Sequence, residues 1–377
     1  MPPHTNSKEF SRIDWLSFGL TTLVALVVYL ATLAPQVTLG FSGIFSVGAM
    51  YLGVPHPPGY PLATIYEWLF VKLLPFSNIA WRVAVSSAVA GALASGLIAL
   101  IASRLGAPLS DNLPPKEAAS LRIASGYAGG MIFALNGAFW NRAVVADVWT
   151  FSVLLFCLVL SLLTRGLLAP DQRRYLYAAC FVYGLSVTNS QILLAAAPAI
   201  LGAVLVGTPN LFTIIGCGAV FVLGLVPYLF VPIFSMTNPP INWGYARTAG
   251  GFFHLLTRGQ YEHIQPTSDV LTFVDQLHIY AEVTAREFGW PYLIFAALPF
   301  LCFRRLPAGQ RRCMMALLGF YLCLTLLVVL VLNPVDHKEG REHIKVFFSL
   351  SHVPLAICVG CGLLFVATLS RRTTSHR

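Results

Sequence analysis

The chain has 377 residues, of which 57% are hydrophobic and 10% charged, and its mean hydropathy is +0.73. Soluble domains carry about 25% charged residues, so the composition excludes a water-soluble globular protein and indicates a polytopic membrane protein. The net charge of +9 is scattered beside apolar runs, which fits the positive-inside rule better than nucleic-acid binding.

Apolar runs at 15–34, 83–103, 121–139, 147–164, 175–188, 191–206, 211–233, 289–303, 314–332 and 346–369 predict an all-α bundle of about ten transmembrane helices. The first reads as a signal anchor with no cleavable leader. The runs 175–188 and 191–206 are short for a ~30 Å hydrocarbon core and read as a tilted pair, a partial hairpin or one divided span. Ten crossings from a cytoplasmic N-terminus leave both termini in the cytoplasm. They put 15 of the 24 Lys and Arg inside and ten of the 15 Asp and Glu outside. The outer loops 35–82, 234–288 and 333–345 are therefore the chemically furnished face. No fixed-period repeat or appended soluble domain is visible, so residues 1–377 read as a single membrane domain. The eight cysteines lie in or at the ends of apolar runs and read as small hydrophobes, with neither disulfide nor metal spacing.

Within the first outer loop, residues 35–61 are too rich in proline and glycine to cross a bilayer, where unpaired backbone groups cost several kcal/mol. This segment belongs at a membrane surface or against a protein-lined cavity. Its end, PHPPGYP at 55–61, is stiffened by proline and given one permissive turn by Gly59. The following LATIYEWLFVKLLPF has apolar residues at 62, 65, 69, 70, 73 and 74, a helix for the interface. There Glu67, near Lys72 and Arg82, reads as an interfacial ion pair. The second loop begins with turns, continues through a short helix, and ends in a more polar helix near Glu287.

Six blocks carry a resemblance: GVPHPPGYPL at 53–62, LLPFSNIAWRV at 73–83, FWNRAVVADVWT at 139–150, GLSVTNSQILL at 184–194, NPPINWG at 238–244 and TRGQY at 257–261. In this order, over most of the chain, they resemble a family of bacterial and eukaryotic membrane proteins grouped with the protein O-mannosyltransferases of the GT-C class. The resemblance implies a GT-C-like bundle with interfacial helices in the first outer loop. It also implies transfer of a hexose, by analogy mannose, from a polyprenyl-phosphate donor to a protein or glycan hydroxyl on the non-cytoplasmic face. The partners it implies are that donor, that acceptor and the lipid bilayer, with no nucleic acid; its bacterial members imply the inner membrane. It leaves a divalent cation open. The chain departs from the family where Phe41 and Ile44 replace first-loop acids, Ser190 replaces a common His and Phe234 a common Arg. A catalytically degenerate member that binds or carries a lipid-linked sugar is the alternative reading.

Asp147 matches the family's acidic position in ADVWT. A carboxylate that takes the acceptor's proton is worth about 10²–10⁴ in rate, although an acid at this place also caps a helix. His56 could orient a hydroxyl or phosphate, or simply brace the proline-stiffened turn beside Tyr60. A phosphate-linked donor calls for cations; Arg258 and Arg341 are the leading candidates, ahead of Arg82 and Arg142, each of which could also snorkel to lipid headgroups. Tyr60 is a further candidate for donor binding, and Asn238, Asn242 and Trp243 could supply amide hydrogen bonds and a stacking face for sugar, or fix a bend.

Overall fold

The structure, a computed structural model, describes residues 9–208, 210–261, 265–301, 303–334 and 338–374. Its α-helices are α1 Arg12–Ala31, α2 Ser42–Tyr51, α3 Pro61–Leu73, α4 Ile79–Gly106, α5 Pro115–Ala134, α6 Gly137–Ala143, α7 Trp149–Leu168 and α8 Arg174–Asn189. They continue with α9 Ala197–Gly207, α10 Leu211–Gly224, α11 Phe230–Met236, α12 Ala249–Leu256, α13 Val270–Phe288, α14 Trp290–Leu301, α15 Ala308–Leu332 and α16 Lys338–Thr374. Among the described residues there is no β-strand, only an isolated bridge between Val54 and Asn242.

Local sequence sets several helix starts. Ser11 and Asp14 form a reciprocal capping box on α1, and Asn78, Asn136 and Asp269 accept backbone N–H groups at the starts of α4, α6 and α13. Among the described residues six helical segments are long and apolar enough to cross a membrane alone, or seven counting the bent pair α5–α6. The expected runs at 175–188, 191–206 and 289–303 appear as the shorter helices α8, α9 and α14. Continuity between the first two breaks at Ser190, whose backbone turns extended (φ −144°, ψ 105°) before a 3₁₀ turn at 191–196.

The most enclosed span is α4, with 83% of its apolar window buried; it packs against α1, α5, α7 and α16. Large side chains from α4, α5, α7, α15 and α16, including Ile98, Phe133, Phe156, Phe320 and Phe348, form the core. Glycine permits close helix approach where α8 meets α10: a side chain at Gly184 or Gly224 would strike the facing backbone. At the C-terminal end of α1, the Ala34 amide donates to the Val144 carbonyl at 2.8 Å. That bond ties the α6–α7 link to this end of the bundle, where α2 and α3 also pack on α4.

Candidate active site

The loops at this end enclose a cavity of about 660 Å³. Its walls come from the first loop (Phe41, Phe45, His56, Tyr60), the α6–α7 region (Arg142, Asp147, Trp149), the α8–α9 break (Ser190, Gln191, Ile192) and the second loop (Thr257, Arg258, Tyr261). Further wall is given by Pro266, Val331, Leu332, Val346 and Phe347.

Asp147 is held from several directions. Asn136 caps α6 after a 75° bend from α5, and the short α6 carries Arg142 back so that its Nη1 reaches Asp147 Oδ2 at 3.0 Å. The Trp149 amide donates to Oδ1 at 2.7 Å, so the carboxylate satisfies the first free amide of α7 from just before its start. Ser87 on α4 fixes the backbone, donating its hydroxyl to the Asp147 carbonyl at 3.0 Å and accepting the Asp147 amide at 3.2 Å. Only 5% exposed, the carboxyl is pushed above its ordinary value by burial, against the pull of Arg142 and the Trp149 amide.

His56 faces the same space. Its Nδ1 lies 2.9 Å from the Pro57 carbonyl, which can only accept, so the ring proton sits on Nδ1 and Nε2 accepts the Tyr261 hydroxyl at 2.8 Å. Burial, and then Arg258, lower its proton affinity. Phe41, Tyr60, Trp243 and Tyr261 surround the imidazole, with ring centroids 5.1–6.3 Å away. Burial pushes the Tyr60 phenol up, opposed by the adjacent Arg258. Arg258 adopts φ +56°, uncommon for a non-glycine residue and frequent at functional positions. Its Nε donates to Gln191 Oε1 at 2.9 Å, while Gln191 Nε2 donates to the Leu256 carbonyl at 2.7 Å.

Thus Asp147, His56, Tyr60 and Arg258, expected from sequence, converge on one cavity. Trp243 touches it only through His56. Asn238 and Asn242 lie outside its lining: Asn238 accepts from exposed Arg247 at 2.7 Å, and Asn242 donates to the Ser235 carbonyl at 3.0 Å. Their segment clasps the first loop, with Val54 N–H donating to Ile241 and Trp243 N–H to Val54. The Arg341 side chain lies outside the described residues. Phe41 lines the cavity, whereas Ile44 does not. The interfacial ion pair expected of Glu67 is not formed. Glu67 is 2% exposed; Lys72 instead lies over the Trp68 ring and Arg82 donates to the carbonyls of Val71, Phe76 and Ser77. Gln191 and Tyr261 were missed as site residues, although both stand inside the blocks that carry the resemblance. Among the described residues no three His, Cys, Asp or Glu side chains gather as a cation site, and Asp147, committed to Arg142, does not suit a divalent ion.

Comparison with known proteins locates this arrangement. Residues 42–211 match the model of the protein O-mannosyl-transferase TMEM260 N-terminal domain, the stretch that supplies the first-loop walls other than Phe41 and those of Asp147 and Gln191. The fold matches ArnT from Cupriavidus metallidurans bound to undecaprenyl phosphate, with a TM-score of 0.55 at 13% identity over 94% of this chain and 60% of that one. Residues 42–211 thus resemble the N-terminal domain of a protein O-mannosyl-transferase, and the chain shares the fold of ArnT. It also matches apo ArnT from the same organism, with a TM-score of 0.52 at 14% identity, covering 95% of this chain and 61% of that one. In sequence it is 28% identical to the Mus musculus protein O-mannosyl-transferase TMEM260 over 66% of this chain and 35% of the relative. It is 25% identical to the Dictyostelium discoideum counterpart over 89% of this chain and 43% of that one. The chain thus spans well under half the length of these curated relatives, both from eukaryotes.

Proposed function

We propose that this integral membrane protein is an inverting glycosyltransferase that moves a hexose, mannose by analogy with its relatives, from a polyprenyl-phosphate carrier to a protein or glycan hydroxyl. The observation that carries this reading is the convergence of a buried carboxylate, Asp147, with two arginines, Arg142 and Arg258, on one 660 Å³ cavity at an end of the bundle. Arginine fits phosphate geometry and charge, and a cavity of this size suits a small-molecule headgroup. In the step proposed, the acceptor oxygen attacks the sugar's anomeric carbon. The bond from that carbon to the carrier phosphate breaks and its electron pair leaves with the phosphate. The hydroxyl proton passes to Asp147, while Arg258, braced by Gln191, offsets charge on the departing phosphate. Neutral His56, with its Nδ1–H donating to the Pro57 carbonyl and Nε2 taken by the Tyr261 hydroxyl, is fixed beside the Tyr60 ring as the aromatic wall against which the sugar lies. Purified protein in lipid, given radiolabelled polyprenyl-phosphate sugar and an acceptor, is expected to transfer label; label left wholly on the carrier would defeat the enzyme reading.

A second reading has its own observation. Both Asp147 oxygens are already engaged, and apolar Phe41 occupies the cavity wall. A lipid-linked-sugar binder would hold the donor without transferring it and gain activity only on Phe41→Asp. We place the cavity on the non-cytoplasmic face from the charge bias of the loops. Leu39→Cys, at a fully exposed position, is then expected to react with an impermeant thiol reagent in intact cells, and Asp111→Cys is not; the reverse pattern would move the site to the cytoplasm.

A further inference from the structure

Behind the cavity wall lies a second carboxyl that the proposed mechanism leaves unused. On α3, residues 63, 67 and 71 fall on one helix face. Ala63 packs in a cluster with Phe45, Tyr60 and Val148, and Val71 packs in another with Ala49, Val83 and Ala146. The residues immediately before and after Asp147 thus share clusters with the α3 residues one turn to either side of Glu67, which brings Glu67 into the neighbourhood of Asp147. Glu67 is 2% exposed, and its Oε1 has no hydrogen-bond partner among the described residues. Among the described residues no ionic partner compensates it.

We infer that Glu67 is a positioning residue that stays protonated behind Asp147, so that the two buried carboxyls hold one negative charge between them, carried by Asp147. An isolated buried carboxylate is too costly to keep charged and takes up a proton instead. Asp147 has what Glu67 lacks, a guanidinium and a backbone N–H aimed at its oxygens, so the proton belongs on Glu67. Burial, and then the neighbouring Asp147, hold the Glu67 carboxyl well above the ordinary range.

Groups on the elements packed around α3 do not alter this. On α4, Arg82 is turned to backbone carbonyls and Ser86 accepts the Tyr66 hydroxyl at its own carbonyl. The α8 end nearest α3 presents Asn189, which accepts the Ala63 amide and donates to Ser152. In the 3₁₀ turn at 226–229, Tyr228 donates to the Val187 carbonyl, and the Tyr51 ring at the end of α2 is exposed. On α3 itself Lys72 lies over Trp68. Asp147, with Arg142 beyond it, is the charge that faces Glu67. The inference rests on the reading of Asp147 as proton acceptor: with Glu67 neutral, that transfer takes the pair from one negative charge to none.

The test uses pH-dependent stability, which needs neither donor nor acceptor. Glu67's folded proton affinity is raised, so above about pH 4.3, where an unfolded Glu has lost its proton, the folded state binds a proton the unfolded state does not. Stability therefore falls as pH rises toward the folded value. Glu67→Gln keeps the neutral shape and abolishes that loss. Its apparent unfolding midpoint is expected to rise above the parent's progressively between about pH 5 and pH 8, by ~2–4 °C at the upper end. In Asp147→Asn the part of the slope due to the pair should shrink. A Glu67→Gln midpoint equal to or below the parent's throughout overturns the inference. If the variant does not fold, infrared absorption of the parent at about pH 7 decides. A protonated-carboxyl band that shifts in Asp147→Asn supports the pair, and the absence of such a band overturns it. Missing transferase activity would overturn the proposed function alone, and the pair would still be judged on these measurements.

Discussion

Two buried aspartate–arginine pairs sit at opposite ends of this bundle, and their difference separates structure from chemistry. At the N-terminal end of α1, Asp14 is fully buried and receives the Ser11 amide and hydroxyl at 2.7 and 2.8 Å, the Ser103 hydroxyl at 2.7 Å and Arg122 at 2.6 Å. Those donors join α1, α4 and α5 and satisfy the carboxylate within the protein. Asp147, at the other end, has Arg142 and one side-chain-directed amide, faces a 660 Å³ cavity and has a second carboxyl behind it. Both are acids near helix starts paired with arginine; saturation by neighbours makes one a clasp, and an open side makes the other available to a ligand.

The comparison can be broken most forcefully at Asp14. Removing one partner of a buried ion pair costs about 3–5 kcal/mol, so Asp14→Ala is expected to lose most of its folded yield, measured as monodisperse protein after extraction, and Arg122→Ala to behave similarly. Normal yield and midpoint in Asp14→Ala would remove its status as a clasp. At the cavity end the effects should fall on binding. Arg258→Ala should weaken affinity for a polyprenyl-phosphate sugar by about 1.5–3 kcal/mol, the range for hydrogen bonds to charged groups, with Arg258→Lys recovering part. Isothermal titration in detergent checks this, and unchanged affinity would assign Arg258 to the fold. The smallest effect is expected from Tyr261→Phe, which deletes one hydrogen bond to His56 worth about 0.5–1.5 kcal/mol. Because burial keeps His56 neutral in the fold, stability should decline as pH falls below about 6.5, where the unfolded histidine takes a proton; His56→Gln should flatten that slope in a melting series.

Apolar runs were enough to read the all-helical framework, because a bilayer imposes span length directly on sequence. The helix-breaking first loop pointed to a membrane surface or a protein-lined cavity, and ADVWT drew attention to Asp147. What pattern did not reveal was partnership. Arg142 meets Asp147 only because Asn136 and Gly137 follow a 75° bend, and Tyr261 meets His56 across 205 residues of chain. Gln191 reads as the polar first residue of the apolar run 191–206 until the break at Ser190 turns it toward Arg258. Glu67 shows the limit most plainly: its helix has the pattern of an interfacial element, yet tertiary packing puts this acid on the covered face, between Ala63 and Val71.

The most direct measurement compares Asp147→Asn with Asp14→Asn in the same membranes, scoring folded yield, donor binding and label transfer together. Asp147→Asn is expected to fold and bind donor like the parent while transfer falls about 10²–10⁴-fold, and Asp14→Asn to lose folded protein while each surviving molecule transfers normally. Parent-rate transfer by folded Asp147→Asn would contradict the assignment of the proton-accepting role to that residue.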